Sequence, residues 1–180
     1  SYLIEESVTV LNNGDAPVSA AIGRTVAATE FTGGDNRYNM TRIAYFAADT
    51  LEEEDDREDL AEEPVKISTG ISWAGVQNNY FLMAVAPSSA DQSGVFATVL
   101  DDDVFRATVT EKTGSLLPGS QMSLTGGYYI GPKQSNMMAD APYNLSGAID
   151  LGWFDFIAKP LLVGLHFFNG YVDNYGISII

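Results

Sequence analysis

The first 130 residues consist of short apolar stretches separated by polar turn sequences. The stretches are rich in β-forming residues, and none of them shows a helical period. Many short strands at this spacing are typical of an antiparallel β-sandwich or barrel. The predicted strands are 2–11, 18–24, 41–46, 65–68, 71–76, 80–86, 95–100, 105–110 and 120–130.

Turn-forming residues lie between the predicted strands. The first strand ends at Asn12-Asn13-Gly14-Asp15, a sequence that predicts a hairpin with 18–24 as the returning strand. Asp101-Asp102-Asp103 predicts another turn. The pattern fixes an antiparallel all-β fold but leaves the strand order open.

After residue 130 the chain changes from strand to helix patterns. Gly131-Pro132-Lys133 predicts the start of a short helix through about Ala139, with Pro132 in its first turn. Beyond residue 150 a second helical segment follows, and its proline, Pro160, predicts a kink or a break just before it.

The segment beyond residue 150 is strongly amphipathic. On a helical wheel Asp155, Lys159 and His166 fall within a stripe of roughly 40°, and apolar residues fill most of the rest. The favoured interpretation is a helix in the membrane–water interface, and a helix buried against protein is the alternative. The predicted membrane-facing residues are Trp153, Phe154, Phe156, Ile157, Leu161, Leu165 and Phe168.

Nine of the 24 acidic residues lie within positions 51–63. A block of like charges repels itself, so we expect a solvated loop with at most one short helical turn. A calcium site is the functional alternative, because calcium prefers carboxylate oxygens. The block lacks the ligand spacing and the glycine of an EF-hand loop, which favours the loop.

Composition narrows the classes of function. With 46% hydrophobic and 18% charged residues the chain is globular, and its formal net charge of −15 argues against nucleic acid as a partner. It has no cysteine, which excludes disulfides and thiolate metal sites. No run of about 18 apolar residues spans a bilayer. Because the chain stops inside the apolar run 176–180, we expect both ends to be cuts in a longer protein.

Catalytic patterns are missing from the sequence. The single histidine, His166, lies on the polar stripe of the amphipathic segment. A polar residue on a solvent-facing helix surface is the favoured interpretation, and a catalytic triad is the alternative. No metal-protease, phosphate-loop or nucleophile-elbow motif occurs. We therefore expect no enzyme activity and no cofactor. Core packing is the favoured role for Trp73, Tyr80 and Phe81, and a ligand-stacking platform is the alternative.

One segment carries Trp73 with Tyr80-Phe81, a second carries Gly131-Pro132, and a third carries Gly152 and Pro160. Together these three segments resemble the external domain of YidC-type membrane protein insertases. Trp73 with Tyr80-Phe81 is similar to a W-x(6)-Y-F segment of the family, and Gly131-Pro132 to its entry into a short helix. The most specific segment carries Gly152 and Pro160 and ends in 174–180, where Tyr175 replaces the usual tryptophan. The structural motif residues are thus Trp73, Tyr80, Phe81, Gly131, Pro132, Gly152 and Pro160.

The resemblance implies an antiparallel β-supersandwich, similar to sugar mutarotases, outside the bacterial inner membrane. It implies a periplasmic β-domain in 1–149, an amphipathic interfacial segment in 150–174 and the start of a truncated transmembrane helix in 175–180. The implied role is that of a non-catalytic accessory domain of an insertase that inserts and folds inner-membrane proteins, alone or with the Sec translocon. SecD/SecF-type components, nascent membrane proteins and the inner membrane are the implied partners.

Two other functions fit parts of the sequence. A carbohydrate-binding or mutarotase-like protein would explain the β pattern, but mutarotase chemistry needs histidines in its cleft, and His166 lies outside the predicted β body. A chaperone-like module that holds unfolded substrate in a groove is compatible with the insertase role. The sequence indicates neither which surface binds a partner nor which residues would line a groove.

Overall fold

A computed structural model describes residues 2–29, 39–139 and 141–149, and beyond them residues 160, 161, 163–165, 167 and 170. The chain divides into two compact units, Ser1–Ala148 and Ile149–Ile180. The finer division of the C-terminal part at residue 175 stays a prediction.

The first unit is built almost entirely from β-strands. Its strands are β1 (Leu3–Leu11), β2 (Val18–Ala28), β3 (Arg42–Ala47), β4 (Thr50–Glu54), β5 (Val65–Ile67), β6 (Ile71–Gln77), β7 (Phe81–Ala86), β8 (Ser93–Leu100), β9 (Val104–Leu116) and β10 (Gln121–Pro132). Its helices are α1 (Arg57–Glu62) and α2 (Ser135–Met138), with single 3₁₀ turns at Ala90–Gln92, Asp101–Asp103 and Leu145–Ala148.

The strands form two sheets. One has six strands in the order β1-β10-β7-β6-β3-β4, and the other has four in the order β2-β9-β8-β5. Every pairing is antiparallel. The prediction of an antiparallel all-β fold is therefore confirmed.

The main core lies between the two sheets. Successive side chains of a strand point to opposite faces, so alternate apolar residues can line one face. In β9, Phe105, Ala107 and Val109 are fully buried while the residues between them are partly exposed. The facing residues of the six-stranded sheet include Ile43, Ala74, Val76 and Val85.

The outer face of the six-stranded sheet is covered by the chain that follows β10. Trp73 is fully buried and stacks on Phe46, with 6.2 Å between the ring centroids, and its indole N–H donates to the Asn144 carbonyl at 3.2 Å. Leu145 is buried in the same segment. Gly147 lies so close to Phe46 that a Cβ would come within 2.3 Å of the ring. Burial of Trp73 is therefore a consequence of this covering segment.

The turn after β1 joins two sheets instead of forming a hairpin, so the hairpin prediction is wrong. β1 pairs with β10, and β2 pairs with β9. The buried Asn12 side chain donates to the carbonyls of Ala16 and Leu116, both at 2.9 Å, and accepts from the Gly14 N–H at 3.0 Å. These bonds tie the arch to the end of β9, which is why the chain crosses between sheets here.

A buried ionic cluster links the same sheets. The Arg24 guanidinium, 1% exposed, donates to Glu6 at 2.9 Å, to Glu111 at 3.1 Å and to the Leu124 carbonyl at 3.1 Å. Glu111 also accepts the Ser88 hydroxyl and the backbone N–H groups at 88 and 89. Each buried charge therefore has several partners, as burial in a low dielectric requires.

The acidic run is ordered, which corrects the expectation of a loop there. Its first part forms β4, an edge strand in which Leu51 is half-buried, and its second part forms α1. The Asp56 carboxylate caps α1 by accepting from the N–H groups at 58 and 59. Leu60 anchors the helix in the core. Two apolar positions among nine acids are enough to order the run.

Pro132 ends a strand and does not begin a helix. The predicted helix 132–139 is therefore wrong at its start, because β10 runs through Pro132, which lies opposite Phe81, and α2 begins at Ser135. The Lys133 N–H donates to the Tyr80 carbonyl at 2.7 Å, extending the strand contacts by one residue. Proline is tolerated at a strand end because its missing N–H breaks no inner ladder bond there.

The structure describes seven residues beyond position 149, all of them helical: Pro160, Leu161, Val163, Gly164, Leu165, Phe167 and Gly170. The predicted break just before Pro160 and the first part of the predicted interfacial helix, residues 150–159, lie outside the described set. Among the helices that the structure describes, none is long and apolar enough to cross a membrane.

The buried cluster predicts a large effect of a single substitution. Glu111→Ala would leave the Arg24 charge buried without its one fully buried carboxylate partner, so we expect the free energy of unfolding to fall by about 3–5 kcal/mol. Chemical denaturation of the whole chain measures this. The control is Asp103→Asn, at an ion pair with an exposed carboxylate, where we expect less than about 1 kcal/mol. Equal losses of unfolding free energy in the two variants would contradict the inferred contribution of the cluster to stability.

The β3–β4 hairpin predicts a stabilising change. Its two turn residues, Ala48 and Asp49, have φ angles of +49° and +60°, the left-handed values of a type I′ turn, which favours Asn-Gly. The double substitution Ala48→Asn with Asp49→Gly should raise the free energy of unfolding by about 1 kcal/mol, measured by denaturant titration. Reversing the order, with Ala48→Gly and Asp49→Asn, should gain less. A loss of stability in the first variant would show that the turn is of another type.

Candidate functional site

An apolar cleft opens where β7 begins and β10 ends, beside the start of β1. It has a volume of about 500 Å³. Its lining is Tyr2, Phe81, Leu82, Met83, Ile130, Gly131 and Pro132. None of these side chains carries a charge at neutral pH, so the cleft offers a partner apolar contact, backbone hydrogen bonds and the Tyr2 hydroxyl.

Strand register sets the walls of the cleft. Met83 lies opposite Ile130, and Phe81 lies opposite Pro132, so these four residues share one face of the sheet. Met83 also packs against the main core. Because the cleft continues the core face outward, apolar residues there remain in contact with solvent: Phe81 is 41% exposed and Ile130 is 44% exposed.

The turn before β7 presents the aromatic pair at the mouth. The Asn78 side chain, itself buried, accepts from the N–H groups of Tyr80 and Phe81 at 2.9 Å and 2.8 Å. This cap ends β6 and turns the chain into β7. Tyr80 is left 65% exposed, beyond the last strand pair.

Core packing is therefore right for Trp73 and wrong for Tyr80 and Phe81. Trp73 is enclosed by the segment that follows β10, whereas the other two lie at the surface. Trp73 belongs to β6 and Phe81 to β7, with the turn between them.

Two further motif residues, Gly131 and Pro132, line the cleft. A Cβ at Gly131 would lie 2.5 Å from the Tyr2 ring, so glycine lets that ring cover the strand. The Tyr129 hydroxyl donates to the Pro132 carbonyl at 2.7 Å, and burial raises the pKa of this phenol. It therefore stays a protonated donor near neutral pH and fixes the end of β10.

The predicted membrane-facing residues belong to the second unit. Leu161 is helical and 67% exposed, and Leu165 is helical and half-buried. Pro160 is also helical and exposed. The remaining predicted residues lie outside the described set: Gly152, Trp153, Phe154, Phe156, Ile157 and Phe168. Their interfacial role stays a prediction.

A second, polar cleft of about 420 Å³ lies between β4, α1 and β5. Its lining is Glu54, Asp59, Leu60, Glu62, Glu63 and Val65. Within the part of the chain that the structure describes, no group of three or more histidine, cysteine, aspartate or glutamate side chains is arranged to hold a metal ion. The calcium alternative for the acidic run therefore gains no support from the geometry.

Sequence patterns did not reveal several residues of these sites. Tyr2, Met83 and Ile130 looked like ordinary strand residues, and they come together because β10 pairs with β7 on one side and with β1 on the other. Arg24 and Glu111 lie 87 positions apart in the chain. A charged residue inside an apolar strand was the one available signal for the buried cluster.

Comparison with known proteins identifies relatives over the whole chain. Proteins called membrane protein insertase YidC from Nitratidesulfovibrio vulgaris (strain DP4) and Maridesulfovibrio salexigens are each 43% identical over 180 residues, which is 100% of this chain and 33% of theirs. The protein of that name from Geobacter sulfurreducens is 34% identical over 99% of this chain and 34% of its own. The chain thus spans about a third of the length of the curated relatives that it matches.

A solved structure shows a fainter likeness. A galactose mutarotase related enzyme from Lactobacillus acidophilus aligns with 72% of this chain and 57% of its own, at a TM-score of 0.48 and 12% identity. These values are too low to say anything about activity.

The family model of the YidC periplasmic domain matches residues 1–163, which include all ten strands and the apolar cleft. Together with the relatives, this match confirms the resemblance seen in the sequence. The chain belongs to the YidC periplasmic domain family.

Proposed function

We propose that the chain is a non-catalytic accessory domain of a membrane protein insertase, held on the periplasmic side of the bacterial inner membrane. The family match over residues 1–163 carries this proposal. The whole insertase would insert and fold inner-membrane proteins, alone or with the Sec translocon. This chain would supply contact surfaces for that work and perform no chemistry.

The cleft chemistry agrees with a binding role. Tyr2 is the one titratable side chain that lines the cleft, so the cleft can recognise an apolar segment by shape but lacks a paired acid and base. The sole histidine of the chain, His166, belongs to the second unit and not to the β body. A mutarotase-like or carbohydrate-processing role therefore lacks its catalytic groups in the first unit.

The cleft supports a second role within the same proposal. Exposed apolar surface of this kind marks interaction sites in soluble domains. Segments of nascent membrane proteins are apolar, and they need temporary cover outside the bilayer. The cleft would hold such a segment in the manner of a chaperone. SecD/SecF-type components would contact the domain at the edge of the cleft or at another surface.

Photocrosslinking in the whole insertase tests the cleft. A photoreactive amino acid at Ile130 should crosslink nascent membrane proteins or SecD/SecF-type components, because this position lines the cleft and is solvent-accessible. The matched control is Leu117, which is 62% exposed in the β9–β10 turn, away from the cleft. Equal yields at the two positions, or crosslinks at Leu117 alone, would contradict a role for the cleft.

Liposome flotation tests the membrane role of the second unit. The whole chain should float with liposomes, and Leu161→Glu should weaken its partitioning by about tenfold, because a carboxylate opposes entry into the acyl boundary. The matched control Leu117→Glu changes an equally exposed leucine of the β body. The experiment reads out the bound fraction of each variant. If the two variants partition alike, the interfacial role of the second unit has to be abandoned.

A further inference from the structure

The outer face of the four-stranded sheet carries a cluster of two cations and one aromatic ring. Lys66 of β5 lies opposite Phe96 of β8, and Phe96 lies opposite Thr108 of β9. Residues directly opposite each other in an antiparallel pair share a face, as do residues two apart in one strand. Arg106 therefore lies on the same face, diagonal to Phe96.

The geometry places both cations against the ring. The Lys66 Nζ lies 5.8 Å from the centroid of the Phe96 ring, and the Arg106 guanidinium carbon lies 5.9 Å from it. The neighbours Ala97 and Ala107 are fully buried in the core, so this cluster faces away from the core. Like charges held near one ring repel each other, and an anion between them would relieve that repulsion.

Arg106 differs from the other arginines that the structure describes. Arg24, Arg42 and Arg57 each pair with a carboxylate. Arg106 forms no ion pair within the described residues, and its Nε is buried without a hydrogen-bond acceptor. An unpaired arginine is unexpected in a chain with 24 acidic residues and nine basic ones. A guanidinium that is partly desolvated and unpaired can donate hydrogen bonds to a carboxylate of another molecule.

We propose that Lys66, Phe96 and Arg106 form a binding site for a glutamate or aspartate side chain of a protein partner. Arg106 would hold the carboxylate with two parallel N–H bonds, Lys66 would add a second charge, and the Phe96 ring would contact the methylene groups. The inference deepens the proposed function, since it gives the chemistry of one partner-binding surface and rests on that function for the partner being a protein.

Charge favours a protein segment over a lipid surface. An anionic membrane presents many charges over a wide area and would meet the acidic side chains of a chain whose net charge is −15. A single carboxylate on a polypeptide feels mainly charges within a Debye length of about 8–10 Å. The site can therefore attract such a carboxylate locally while the whole domain repels anionic headgroups.

Nuclear magnetic resonance titration of the whole chain tests the site. The probe is the peptide acetyl-Ala-Glu-Glu-Ala-amide, and acetyl-Ala-Gln-Gln-Ala-amide is the neutral reference. We expect saturable shifts at the backbone amides of Lys66 and Phe96 and at the Arg106 side chain with the acidic peptide only. Added salt should weaken the binding, because the attraction is electrostatic.

Three variants locate the effect. Arg106→Gln and Lys66→Gln should each weaken binding of the acidic peptide by about tenfold. Lys112→Gln should leave it unchanged, because this exposed lysine lies on the same face of β9, six residues or about 20 Å further along. The melting temperature of each variant shows that the fold is kept. Equal weakening in all three would overturn the site in favour of general charge.

A vesicle-binding experiment distinguishes lipid headgroups from a protein carboxylate as the anion that the site binds. The chain and its Arg106→Gln variant are mixed with vesicles of phosphatidylglycerol and with vesicles of phosphatidylcholine. We expect Arg106→Gln to leave vesicle binding unchanged. Binding to phosphatidylglycerol that depends on Arg106 would assign the site to lipid headgroups and overturn the proposal. The titration needs no insertase activity, so a failed proposed function would still leave a measured carboxylate site.

Discussion

The buried Arg24 cluster is the constraint on which the β body depends. One guanidinium reaches two strands of the six-stranded sheet, through Glu6 and the Leu124 carbonyl, and Glu111 of the other sheet. A shift of one sheet against the other would separate Arg24 from these partners and leave its charge in a low-dielectric interior, so the cluster favours the observed register. The cluster also explains Gly126, where a Cβ would lie 2.7 Å from the guanidinium carbon. The same carboxylate holds the turn after β7, because Glu111 accepts hydrogen bonds from the backbone N–H groups at 88 and 89.

The acidic residues of β4 have a physical role at one edge of the six-stranded sheet. β4 is an edge strand, and an open edge of a sheet can pair with another chain. Three consecutive glutamates, 52–54, make such pairing with a second copy unfavourable through repulsion. Arg42 and the Gln77 side chain hold Glu53 at the sheet, so the charges remain ordered instead of forming a free tail. The acidic run thus protects an edge, and no metal is needed to explain it.

The sequence predicted what depends on local chemistry and missed what depends on pairing. Nine of the ten strands follow from apolar stretches and turn residues, whereas β4 is hidden by its glutamates and is ordered only by contact with β3. Asn12–Asp15 has the residues of a hairpin turn, but its connection to the end of β9 makes it an arch. The apolar cleft could not be predicted, because Tyr2 precedes β1 while Met83 and Ile130 belong to β7 and β10, and no local pattern encodes the order of these strands. Family motifs succeeded for a different reason, since they compare residues directly and need no strand order.

The two proposed binding surfaces, one apolar and one charged, follow from the two-sheet arrangement itself. At the cleft, the six-stranded sheet continues its core face outward, so residues suited to the core become exposed there. The Lys66–Phe96–Arg106 cluster lies on the outer face of the other sheet, where the strand period requires polar side chains. An apolar segment and a charged segment can therefore bind without competing for one surface. Under the proposed function, the cleft would hold an apolar membrane-protein segment while a partner's carboxylate binds the Lys66–Phe96–Arg106 cluster on the second sheet.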